Sequence, residues 1–202
     1  AQVGATRASS AATGSAGAAR QELEFVRETS ERLGLELLST AQSYSRLVAA
    51  AKETPTLQPF LHEIFEGVGS AATVLSLTRE ETSSLMLALE QMVSKGRVQT
   101  QELVLQLGQR VPGAFALAAK ALNTNTQQLT EWLEKGQIAA DEFLPRFGRA
   151  LRDAYGDRAQ SAAAGLQGEL NRLSNAWTEL KVGMGEAGFI DSVVVAIRDL
   201  RD

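Results

Sequence analysis

Cysteine is absent from the 202 residues and histidine occurs once. The first absence excludes disulfides, thiolate nucleophiles and Cys-ligated zinc. The second excludes a multi-His metal site, although one His still permits a Ser-His-Asp triad by arithmetic. Aromatic residues make up only 5% of the chain, and positive charge does not dominate: 20 basic side chains face 24 acidic ones, for a net charge of −4. The sequence pI is near 5.2. A dedicated duplex-nucleic-acid binder carries the opposite balance, so no specific nucleic-acid partner is expected. Long apolar runs are missing too. The longest, Val193-Val194-Val195-Ala196-Ile197, is bounded by Asp191 and Arg198 and falls well short of the ~20 residues that cross a bilayer. This segment is therefore expected to have no membrane partner. The chain opens on Ala1 rather than Met and stops on Arg201-Asp202 in mid-pattern, which reads as a piece of something longer. What is present is 44% hydrophobic residues, enough for one domain, or two small ones, with a real core.

The hydrophobic residues recur with a helical period, and nothing alternates with period two for long enough to make a strand. The expected class is all-α: two repeated helix–Gly-turn–helix units followed by a longer coiled-coil-like helix. Residues 1–19 are nearly all Ala, Gly, Ser and Thr, with little to bury: a tail, a linker or an Ala-driven helix that needs a partner. Residues 20–59 form a helical N-terminal segment. It holds one helix from Gln21 to Leu33, capped by Gly34, and a second from Leu37 to Lys52. Pro59 suits the start of the next helix, which carries Phe60, Ile64, Phe65, Val68 and Leu75. Thr78-Arg79-Glu80-Glu81 fits a capping box opening a helix that closes at Lys95-Gly96. Turns are expected at Val111-Pro112-Gly113, Asn123-Thr124-Asn125 and Lys135-Gly136.

Sliding the chain by 40 positions superimposes Leu89, Met92, Val93, Lys95, Gly96 and Val98 on Leu129, Trp132, Leu133, Lys135, Gly136 and Ile138. Glu102, Leu103, Leu107 and Gly108 then fall on Glu142, Phe143, Phe147 and Gly148. Each unit reads as a helix ending at a left-handed Gly, then a short second helix with a carboxylate in its first turn. Gly96, Gly136, Pro112 and Gly113 are the candidate structural turns.

Downstream, Leu166, Leu170, Leu173, Trp177 and Leu180 are spaced 4-3-4-3, and Ala159, Ala163 and Met184 extend the series. That is an a/d seam over about three heptads. These five residues are the candidate self-association surface; an ordinary amphipathic helix packing on its own domain is the other way to use them.

Several motifs look chemical without their required context. Gly183-Met184-Gly185-Glu186-Ala187-Gly188 matches G-x-G-x-x-G, but a dinucleotide site needs a preceding strand, and here a helix precedes it. His62-Glu63 starts like a zincin motif, yet position 66 is Glu66 and no second imidazole exists. His62 is expected at a solvated or edge position. Glu80/Glu81 and Asp141/Glu142 open helices, where negative charge complements the dipole. Arg146, Arg149, Arg152 and Arg158 are interleaved with acids, as on a solvated helix face. No catalytic, cofactor-binding or metal residue is expected.

The stretch from Ala88 to Gly96, followed by Glu102-Leu103, Gln106-Leu107-Gly108 and Arg110-Val111-Pro112-Gly113-Ala114-Phe115, resembles the tape measure domain of tail-length tape measure proteins from phages and prophages. Ile64-Phe65-Glu66-Gly67-Val68, Ala118-Ala119-Lys120-Ala121, Leu129, Leu133 and Lys135-Gly136 follow the same pattern. The resemblance covers roughly residues 60–150, within a domain drawn at 60–155. Residues 156–202 then hold the coiled-coil-like helix, a Gly-rich break and a terminal helix. Gln99 and Ala139 stand where the family tends to place a small hydroxyl cap, with Thr100 a substitute in the first unit, and Gln109 stands where an acid is common. The resemblance implies a non-enzymatic structural protein of the virion tail, lying in the tube lumen after assembly in the host cytoplasm. Its implied partners are the tail tube protein, tail assembly chaperones, tail-tip proteins and further copies of itself. The competing functions are a helical adaptor or chaperone-like module and a fragment of a tail-associated cell-wall hydrolase.

Overall fold

A computed structural model describes residues 16–185, and within them every regular element is helical. The expectations for residues 1–15 of the tail and for the terminal helix beyond Gly185 lie outside the described residues. Helix α1 spans Ala16–Leu33 and ends where Gly34 turns left-handed at φ 64°. There Leu35 N–H donates to the Ser30 carbonyl at 2.8 Å, closing the last turn. The Glu36 carboxylate caps α2, Leu37–Ala50, by accepting from the Leu38 and Ser39 amides. Two 3-10 turns, Ala51–Glu53 and Pro55–Phe60, then lead into α3, Leu61–Val74. Pro59 therefore sits inside the second of these turns, one step earlier than expected, and Leu75 is the C-cap of α3.

Helix α4, Arg79–Lys95, opens with the expected capping box: Glu81 N–H donates to Thr78 Oγ1 at 3.2 Å, and Thr78 N–H donates to Glu81 Oε2 at 2.9 Å. It ends at Gly96, with φ 66°. A π-helix, Gln101–Leu107, is followed by α5, Ala114–Ala121, entered through Gly113 at φ 79°. Asn125 caps α6, Thr126–Glu134, by accepting from the Gln128 amide at 2.8 Å. Helix α7 is Ala140–Ala163 and α8 is Leu166–Gly185.

The core gathers around the crossing of α3 and α7. Ile64, Phe65 and Val68 meet Phe143, Phe147 and Leu151, all of them buried. Phe143 and Phe147 stack with centroids 5.0 Å apart. At the crossing itself Gly67 faces Gly148, so the two backbones approach without intervening side chains.

Three expectations are corrected. The second helices of the two repeat units differ: the first is a seven-residue π-helix and the second a 24-residue α-helix. Thr100 does not cap the first, since it has helical dihedrals and its side chain makes no cap bond. The seam helix is not continuous, because α7 ends at Ala163 and α8 begins at Leu166, leaving Ala164 and Gly165 as a corner.

Candidate functional site

The two Lys-Gly corners come together in space. Gly96 and Gly136 are both left-handed, at φ 66° and 62°, and the segments that follow them pair through one antiparallel bridge between Arg97 and Ala139. Val98 N–H donates to the Ile138 carbonyl at 2.9 Å, and Ala140 N–H donates to the Gly96 carbonyl at 3.1 Å. Val98 and Ile138 are both buried beneath this bridge. The corners thus satisfy each other's backbone groups where two helix pairs meet. The third turn, Pro112-Gly113, is held from α7, whose Tyr155 hydroxyl donates to the Pro112 carbonyl at 3.3 Å.

Equivalent acids in the two units take opposite environments. Glu142 is exposed and pairs with Arg146 at 2.9 Å. Glu102 is fully buried in the π-helix, and its Oε1 lies 2.5 Å from Lys95 Nζ while Oε2 has no partner. This ion pair ties the end of α4 to the π-helix. Its one sequence signal was the Lys-to-Glu spacing shared by both units.

A polar cluster joins the first three helices. The Tyr44 hydroxyl donates to Glu22 Oε2 at 2.5 Å, and His62 Nε2 lies 3.0 Å from the same oxygen. The hydrogen bond from His62 is the largest influence holding the Glu22 carboxyl below its ordinary value, while burial pushes the Tyr44 hydroxyl upward. His62 also stacks on Phe25 with ring centroids 3.7 Å apart. Its half-exposed edge position suits a structural contact among α1, α2 and α3. Among the described residues no group of three His, Cys, Asp or Glu side chains is placed to hold a metal ion. Of the Gly-rich motif, Gly183 to Gly185 complete the last turn of α8, and the rest lies outside the described residues.

Helix α8 carries the main exposed apolar feature. Leu170 is 51% exposed, Leu173 68%, Trp177 53% and Leu180 48%, and their spacing places them along one line. The Leu166 side chain lies outside the described part. The opposite face of α8 is polar and meets the body. Asn171 Nδ2 donates to the Gly34 carbonyl at 2.8 Å, and Asn175 Nδ2 donates to the Leu35 carbonyl at 2.9 Å. Asn175 Oδ1 in turn accepts from the Leu37 amide at 2.9 Å. The two asparagines satisfy backbone groups left open by the α1–α2 corner, so the helix docks through its polar side and presents its apolar side outward. The sequence reading missed Asn171 and Asn175; their i, i+4 spacing opposite the seam was the available sign.

A family model described as tape measure protein matches residues 6–186. A protein named probable tape measure protein from Salmonella phage Felix O1 (isolate Felix O1-VT1) is 30% identical over 134 residues. That alignment covers 66% of this chain and 18% of the phage protein, so the chain corresponds to under a fifth of its relative's length. No solved structure matches.

Proposed function

Because the chain belongs to the tape measure protein family, we propose that it is a folded scaffold segment, not a catalyst, of a phage or prophage tail ruler. The ruler occupies the tail-tube lumen in several copies and sets tail length during assembly, which takes place in the host cytoplasm. The observation that carries this is the family match across residues 6–186, and the helical build accords with it. Helix advances ~1.5 Å per residue, so chain length converts directly into distance. Tube subunits, assembly chaperones and tail-tip proteins are the partners such a ruler touches, and the seam of α8 is the surface for further copies. The match favours this function over an adaptor module or a cell-wall hydrolase fragment.

Limited proteolysis of intact tails, followed by quantitative mass spectrometry, tests the placement. Peptides from residues 16–185 should be protected until the tube is opened and should occur in several copies per tail. Digestion in intact tails, or a single copy, contradicts it.

A further inference from the structure

The two repeat units keep the same anchors and differ in what lies beside them. Leu103 and Leu107 are buried, and so are their counterparts Phe143 and Phe147. Two other positions trade places. Glu102 is fully buried where Glu142 is 61% exposed. Val104 is 36% exposed where Leu144 is fully buried. Winding accounts for both exchanges. A π-turn closes over five residues instead of four, as Gly108 N–H does on the Leu103 carbonyl at 3.0 Å, so each residue advances through a smaller angle than in an α-helix. With Leu103 and Leu107 held inward, that smaller angle swings residue 102 toward the core and residue 104 away from it.

The π winding leaves polar groups unsatisfied. Among the described residues four buried side-chain polar atoms lack a hydrogen-bond partner, and Glu102 Oε2, Gln106 Oε1 and Arg110 Nε are three of them. An α winding would return Glu102 to water and bury Val104, as the second unit does with Glu142 and Leu144, and both anchors would stay inward. Lys95 opposes that change. Its ammonium lies 2.5 Å from Glu102 Oε1 and donates to Gln99 Oε1 at 2.8 Å, so the end of α4 holds the carboxylate in place. At the other end of the segment, residues 108–113 lie outside the regular helices and include Gly108, Pro112 and Gly113. That turn can take up the change in winding.

We infer that residues 101–107 are a two-state switch: π-wound while the Lys95–Glu102 pair is closed, and α-wound, with Glu102 out and Val104 in, once Lys95 lets go. Lys95 is 39% exposed, so an anionic group from outside can reach its ammonium, and capture of that ammonium acts like its removal. The first corner thereby couples contact at its surface to the winding of the segment behind it.

The absence of cysteine makes Val104→Cys a unique thiol in the full chain, and its rate of alkylation by iodoacetamide reports which winding is present. With Lys95 intact the thiol should react readily. Adding Lys95→Met should slow the reaction by roughly tenfold or more, as the α winding becomes the major state, while the chain still melts cooperatively at lower stability. Adding Lys95→Met with Glu102→Leu should restore the fast rate, because an apolar side chain at 102 stays buried without a cation. A fast rate in a folded Lys95→Met chain overturns the switch, since Glu102 would then remain inside unpaired. Failure of Lys95→Met to fold while the double variant folds also overturns it, because the carboxylate would have no outward position to take. A slow rate in the double variant overturns it too, since burial of residue 104 would not depend on Glu102.

Discussion

Gly67 of α3 and Gly148 of α7 meet backbone to backbone. A Cβ on Gly148 would lie 2.8 Å from Ile64 Cα, and one on Gly67 would run into the Gly148 carbonyl. The atoms in the way belong to rigid helix backbone, so neither helix can yield locally. Gly67→Ala should therefore lower stability by about 1–3 kcal/mol in chemical denaturation, the usual cost of overpacking. Gly156, further along α7, offers the control, because a Cβ there meets only the flexible Arg152 side chain at 3.4 Å. Gly156→Ala should raise stability by roughly 0.5–1 kcal/mol, as a helix-interior glycine is replaced. Equal effects from the two substitutions would contradict the crossing.

The corner at Gly96 isolates backbone conformation from packing. An added Cβ there meets nothing within 4 Å, yet φ is 66°. Gly96→Val places a β-branched residue in the left-handed region and should cost roughly 1–2 kcal/mol. The loss should show as a lower melting temperature with the helical signal retained. An unchanged melting curve would remove the left-handed assignment.

These two glycines also mark what was legible in the sequence. Gly96 announces itself locally, since the preceding helix pattern, the Lys and the following Val define a corner. The Thr78 capping box was legible for the same reason. Gly67 carries no such signal, because its partner lies in another helix and only the crossing gives it meaning. The π-helix was likewise hidden. Residues 101–107 show the same apolar pattern as the α-helical second unit, while buried Glu102 reaches Lys95 and its counterpart Glu142 turns to solvent. The spacing of the α8 seam was plain; its outward aim depends on Asn171 and Asn175 finding a corner more than 130 residues away.

Glu102 and Glu142 give a matched comparison. Lys95→Met leaves the buried Glu102 carboxylate without its cation and should cost roughly 2 kcal/mol, less than a fully enclosed pair because Lys95 is partly exposed. Glu142→Gln removes an exposed pair and should change stability by under ~1 kcal/mol. Similar losses in urea titrations of both variants would contradict the assigned burial.

The Glu22 cluster predicts a pH dependence of definite sign. Hydrogen bonds from His62 and Tyr44 hold the Glu22 carboxyl below its ordinary value. Its stabilising contribution is thus complete above the unfolded carboxyl pKa of about 4.3 and is lost as pH falls through the lower folded value. The stability gap between the wild-type chain and Glu22→Gln should close progressively as pH falls below about 4. A gap that persists undiminished at pH 3 would contradict the contact.

Tail length is the most direct test of a ruler. In a phage encoding this segment, an in-frame duplication of residues 140–185 adds 46 residues, worth up to about 70 Å as extended helix. Electron micrographs of the resulting tails should show a uniform increase within that bound. Tails of unchanged length that still contain the duplicated chain would contradict the account.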